Sequence, residues 1–167
     1  MKRDSRLSGV LHGLIHMAEA EQPVTSADLA AAMHTNPVVV RRVMAGLREA
    51  GLVCSAKGHG GGWTLARALT AVTLRDVYAA LGAPAPFALG HRRAAPTCLV
   101  EQAVNAALDR ALGDAEALLL ARMGDVTLAA LADDYHGRLA ALGLDAGAGT
   151  GAGTGAAADA AHDAAPR

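Results

Sequence analysis

The chain has 167 residues, 52% hydrophobic and 19% charged, with a formal net charge of -1; that is enough for one domain with an appendage and for a sizeable apolar core. No run of about 18 apolar residues occurs, which excludes a membrane-spanning helix, and two cysteines are too few for a disulfide framework. The charge is uneven: residues 1–75 hold nine Lys or Arg against five Asp or Glu, and residues 76–167 hold six against eleven, so the first half is the one that suits a nucleic-acid face, although ordinary solvated surfaces reach a similar excess.

Met1 to Arg6 is basic, but the apolar segment after it follows a helical stripe interrupted by His12 and His16 rather than a signal-peptide core. A cytoplasmic protein is therefore expected. Leu7, Val10, Leu11, Leu14, Ile15 and Ala18 predict a first helix over about residues 4 to 20. His12 and His16 stand one turn apart on it, but no third ligand is identifiable, so no metal is expected there.

The next helix has a marked start. The Thr25 hydroxyl is placed to accept from the Asp28 N–H while the Asp28 carboxylate reaches back, and Val24 and Leu29 form a hydrophobic staple. Leu29, Ala30 and Met33 recur at helical spacing until His34-Thr35 breaks the pattern. Asn36 then caps a second helix, Asn36 to Ala50, with Pro37 at its first position where a missing N–H costs nothing. Val40, Val43, Met44 and Leu47 make one apolar face, and Gly51 ends the helix in a left-handed cap. The opposite face presents Val38, Val39, Arg41, Arg42 and Ala45 near the N-terminal end, the end that enters the major groove in helix-turn-helix proteins.

Leu52-Val53-Cys54 predicts a strand, with Cys54 in the core, and Trp63-Thr64-Leu65 predicts its return. The tip between them is Gly58-His59-Gly60-Gly61-Gly62. A phosphate loop would need a helix straight after the glycines, and a strand follows instead. Flanked by Lys57 and Arg67, the tip reads as a hairpin whose backbone lies close to a DNA backbone; a plain flexible surface hairpin is the alternative.

Thr73 and Asp76 repeat the capping box before a short helix, Leu74 to Leu81, and residues 82–97 read as a loop from Gly82, Pro84, Pro86, Gly90 and Pro96. From Cys98 to about Met123 an apolar series predicts a helix of nearly 40 Å at ~1.5 Å per residue, longer than so small a domain covers. Alanines at 103, 107, 111 and 115 leave one face open to close approach, and the natural partner is the same helix of a second copy. A further short helix runs from Thr127 to about Leu142. The Gly/Ala-rich residues 143–167 lack large apolar side chains beyond Leu144 and are expected to be disordered.

The stretch AGLVCSAKGHGGGWTLAR resembles the wing signature of the Rrf-two family of bacterial winged-helix repressors. The RLSGVLHGLIHMAE opening, the helix pair, the wing and the long helix after a loop follow the family's order over about residues 1 to 135. The resemblance implies a homodimer that binds a partly palindromic operator in double-stranded DNA through the second helix and the wing. In the family's cluster-binding members the loop carries three closely spaced cysteines. Here Cys98 is alone in that region, and even a dimer bringing two Cys98 thiols together with histidines such as His91 falls short of a cluster's thiolates. No iron-sulfur cofactor is expected.

The expected fold is therefore mainly α with a small β-wing: a winged helix-turn-helix domain over residues 1–81, a loop over 82–97, a dimerisation helix with a short C-terminal helix over 98–142, and the tail. The expected function is sequence-specific transcriptional regulation by a homodimeric repressor, with no membrane partner. Candidate base-facing residues are Asn36, Val38, Val39, Arg41 and Arg42. Thr35 and the amides of residues 36 to 38 are candidates for holding a phosphate, and Lys57, His59 and Gly60 for placing the wing. Two rival readings remain. One is a winged-helix module that binds protein through Val38 and Val39; the other is a redox sensor acting through Cys98 at a helix start, against a plain buried cysteine. A small-molecule or redox effector leaves no motif of its own. An enzyme is disfavoured, since no paired carboxylates, nucleophile with adjacent base, or convergent metal ligands occur at useful spacing.

Overall fold

Apolar residues at helical spacing in the first fourteen-residue helix, α1 (Arg6–Glu19), bury Val10, Leu14 and Met17 and supply the floor on which the rest is laid. A computed structural model describes residues 5–58, 60–87, 89 and 97–144. After α1 come α2 (Ser26–Ala32), α3 (Pro37–Glu49), strands β1 (Val53–Ser55) and β2 (Trp63–Leu65), a 3-10 turn at Leu69–Ala71, α4 (Leu74–Ala80), α5 (Leu99–Asp125) and α6 (Leu128–Ala141).

The start signals act largely as expected. Thr25 accepts the Asp28 N–H at 3.2 Å, but the Asp28 carboxylate takes the Thr25 hydroxyl proton at 2.7 Å, so the bond goes to the side chain instead of to the backbone. The full reciprocal box forms at α4, where the Thr73 N–H donates to Asp76 at 2.8 Å and the Asp76 N–H to Thr73 at 3.2 Å. Asn36 Oδ1 accepts the N–H groups of both Val38 and Val39 at 3.0 Å. Between α2 and α3 the turn places His34 at φ 50, and after α3 Gly51 takes φ 69. The second of these lets the Leu52 N–H reach back to the Leu47 carbonyl at 2.9 Å and satisfy a helix-end acceptor.

The core joins α1, α2, α3, β1, α4 and α6 through Val10, Leu14, Leu29, Met44, Leu47, Val53, Val77 and Leu128, all fully buried. Each such side chain contributes about 1.5–3 kcal/mol by leaving water. The sheet is a two-stranded antiparallel hairpin with Val53 opposite Leu65 and Ser55 opposite Trp63. Val24 extends it by one bridge, its N–H donating to the Trp63 carbonyl at 3.0 Å and its carbonyl accepting from the Trp63 N–H at 2.8 Å. Alternation along β1 turns Val53 inward and Cys54 outward. Cys54 is thus exposed, and its expected place in the core is corrected.

The joint between α5 and α6 is stitched to the start of α4, the Leu74 N–H donating to Val126 at 3.0 Å and the Leu128 N–H to Val72 at 2.9 Å. From that anchor α5 projects away as a 27-residue helix, about 40 Å at ~1.5 Å per residue. Only Met123, near its anchored end, is buried. Of residues 143–167, the tail expected to be disordered, 145–167 lie outside the described residues, as does His91.

Candidate nucleic-acid interface

The outer face of α3 is shaped by what its inner face must do. Because Val40, Met44 and Leu47 are committed to the core, the helical repeat turns Val38, Val39, Arg41 and Arg42 to solvent. Val38 is 61% exposed and Val39 38%, a large exposure for valines next to a complete core. No acidic residue falls in the first turn, and neither arginine has an ion-pair partner among the described residues. The result is an apolar and cationic ridge at the N-terminal half of one helix. Thr35 and Asn36, also exposed, lie at its tip.

Asn36 has a structural task that the sequence reading shared with base contact. Its side-chain oxygen occupies the Val38 and Val39 amides, and Pro37 has no N–H, so the first three residues of α3 present no unengaged backbone donor. A phosphate at that point would have to displace the cap.

The wing stands beside this ridge. Lys57 and Gly60 are exposed, the latter at φ 78, and His59 lies outside the described residues. Gly61 and Gly62 serve the wing's own construction. A Cβ on Gly61 would collide with the Ala56 carbonyl oxygen, and one on Gly62 would meet the Val24 carbonyl oxygen at 2.7 Å. The glycine cluster therefore first allows the hairpin to close and then to lie against the chain entering α2. Arg67, the other flanking cation, stands close enough to Asp76 to favour its charged form, adding to the hydrogen bonds from Thr73 that hold that carboxyl below its usual range.

Between the ridge and the wing the surface sinks into an open cleft of about 250 Å³. Arg41, Ser26, Ser55 and Trp63 line it together with glycines of the wing. Residues 26, 41 and 55 are separate in the chain, and only the closed hairpin brings them together, so the sequence carries no local signal of this grouping.

Cys98 caps α5 and is exposed. The N–H groups of Glu101 and then Val100 lie toward its sulfur, short of a full cap hydrogen bond, and draw its pKa below the ordinary thiol value. His12 and His16 meet edge to edge, with Nε2 atoms 2.9 Å apart. Burial and the neighbouring His12 lower the pKa of His16, with Glu19 acting the other way.

Comparison with known proteins agrees with this geometry. A family model described as Rrf2, iron-dependent transcriptional regulator, matches residues 3–134. YwnA of Bacillus subtilis (strain 168), assigned as an HTH-type transcriptional regulator, is 29% identical over 106 residues, covering 64% of this chain and 78% of that protein. A solved structure assigned only as a DNA-binding protein is 26% identical, with a TM-score of 0.62, and covers 76% of this chain and 98% of its own. A second, assigned as a transcriptional regulator from Lactobacillus plantarum, shares the fold at a TM-score of 0.68 and 23% identity, covering 84% and 96%.

The donors among the described residues do not fit the iron in the family description. The two cysteines of this chain lie on the wing and at the start of α5, and no group of three His, Cys, Asp or Glu side chains converges on a metal position among the described residues. The match over most of the chain, the winged-helix architecture and the cationic ridge lead to one assignment: this chain belongs to the Rrf2 family of transcriptional regulators.

Proposed function

We propose that the protein is a homodimeric, sequence-specific DNA-binding transcription regulator, a repressor that binds a partly palindromic operator. The observation that carries this reading is the exposed ridge of α3, where valines and arginines without an ion-pair partner among the described residues cover the N-terminal half of a helix whose other face buries Val40, Met44 and Leu47 in the core. Placed in a major groove, Arg42 has the reach to address guanine O6 and N7, and Val38 and Val39 to pack on thymine methyl groups. Lys57 and the wing then lie along the backbone or minor groove. The YwnA relationship and the DNA-binding assignment of the solved structure support the same class of partner.

Dimerisation is supported by α5. Leu99, Val100, Val104 and Leu118 are 78%, 72%, 52% and 61% exposed. A helix this long with bare aliphatic side chains loses the hydrophobic free energy of all of them unless a second helix covers it. A copy of α5 related by a two-fold axis meets that need with self-complementary surfaces. Two α3 helices carried by such a dimer would read half-sites roughly 34 Å apart, one turn of duplex.

A salt series of gel shifts on a duplex selected from random sequence tests the reading. Binding that weakens linearly in log–log form with salt, at two chains per duplex, is the expected result. Indifference to salt, or binding to protein partners through the same ridge, would replace it with the interaction-module reading. A thiol input is the second reading, favoured by the exposure and lowered pKa of Cys98.

A further inference from the structure

We propose that the cleft between α3 and the wing is a seat for one phosphate of the DNA backbone, with Arg41 as its cation and the hydroxyls of Ser26 and Ser55 as its neutral donors. This deepens the DNA-binding reading and rests on it. It also takes Arg41 out of the base-facing set.

Four observations converge on the cleft. Arg41 lines it and has no ion-pair partner among the described residues, and no carboxylate is among the residues that form its walls. Ser26 is poised by its neighbour. The Trp63 indole N–H donates to Ser26 Oγ at 3.0 Å, which uses an acceptor site of the hydroxyl and leaves its proton to be donated elsewhere. Ser55 ends β1 opposite Trp63 and adds a second hydroxyl to the same walls. The fourth observation concerns the alternative place. The Val38 and Val39 amides at the start of α3 are occupied by Asn36 Oδ1 and Pro37 has no N–H, so the first turn of that helix competes less for a backbone phosphate than the cleft, where Arg41 adds a full positive charge.

The chemistry selects an oxyanion. A guanidinium with hydroxyl donors, and no carboxylate among the described residues that line the cleft, matches a phosphodiester oxygen, whose charge-assisted hydrogen bonds are the strong ones. At about 250 Å³ and open to solvent, the cleft admits a phosphate that remains part of a chain. A phosphate held there would also fix the distance between α3 and the wing along the duplex, because contacts to the backbone set register while base edges set sequence.

The test is a cycle between protein and DNA using the full chain and its selected operator. Arg41→Gln should lower affinity for operator and random duplex by the same factor, about tenfold, and reduce the salt slope by about one. Arg41→Lys should keep the slope. Neutral methylphosphonates placed one at a time along the operator should reveal one position per half-site where wild type loses about tenfold and Arg41→Gln loses nothing further. Ser55→Ala should weaken binding to both duplexes by a smaller common factor. Overturning results are equally defined. A change of base preference at one position with an unaltered salt slope would make Arg41 a base reader. Inorganic phosphate that competes with operator at constant ionic strength in an Arg41-dependent way, with no methylphosphonate position coupled to Arg41, would make the cleft a free-anion site. In both cases wild type still shifts DNA; loss of that shift itself would instead remove the reading on which the proposal stands.

Discussion

Arg42 and Lys57 differ in what they would touch, and that difference is measurable. On the exposed face of α3, Arg42→Ala should cost about 1–3 kcal/mol on operator and relax preference at one base pair. Lys57→Ala, on the wing, should weaken specific and random duplexes alike; binding-site selection with each variant reads both outcomes. Equal losses on the two duplexes for Arg42→Ala would contradict its assignment to a base. Cys98 makes a separate prediction. Since the amides of Glu101 and Val100 favour its thiolate, alkylation of a Cys54→Ser variant should accelerate at a pH below the ordinary thiol range; a profile centred in that range would remove the thiol input. Cys54 also shows where reading by residue fails. Its neighbours Leu52 and Val53 suggested burial, but with a period of two only one of two adjacent strand residues faces the core, and Val53 takes that place.

The elements themselves were legible wherever a start or stop has a chemical signature. Thr25, Asn36 and Thr73 each cap the helix that the sequence assigns to them, and Gly51 closes α3. Asn36→Ala should therefore destabilise the fold by about 1 kcal/mol as well as weaken DNA binding, and Asn36→Ser should restore stability. Thermal unfolding separates that part from the binding part. Asp76 gives a pH dependence with a definite sign. Its folded pKa is depressed by the Thr73 hydrogen bonds, so it stabilises the fold above the unfolded carboxylate pKa and loses that contribution as pH falls through the folded value. Asp76→Asn should lower Tm at neutral pH and flatten its decline on acidification; an unchanged acid limb would contradict the box. What remained illegible was the role of the wing glycines. Their abundance reads equally as contact with DNA or as slack, and only the approach of Gly61 to Ala56 and Gly62 to Val24 shows that the hairpin needs them to close. The cleft at Arg41 escaped for a related reason, because it depends on three segments meeting.

At the scale of the whole molecule, the winged domain and α6 share one core while α5 leaves it, apolar and uncovered along most of its length. The apolar series from Cys98 onward made the helix legible, and its length of about 40 Å, with alanines at 103, 107, 111 and 115, was the ground for expecting a second copy against it. A double substitution, Val104→Asp with Leu108→Asp, should yield a folded monomer whose operator affinity drops by orders of magnitude, because one half-site then binds without the other. Sedimentation checks the mass, and circular dichroism checks that the winged domain persists. Charge follows the same division: residues 1–75 carry nine Lys or Arg against five Asp or Glu, with Arg41, Arg42 and Arg48 on α3 and Lys57 on the wing, and residues 76–167 carry six against eleven.

The claim on which the rest depends is that two α3 ridges, carried by one dimer, enter successive major grooves. Its most direct measurement is a footprint of the full chain on operator selected from random duplex, taken together with the mass of the complex. The account predicts two chains per duplex and two protected major-groove segments with centres about 34 Å apart. Protection of a single segment by one chain, or no protection at any salt concentration, would contradict it.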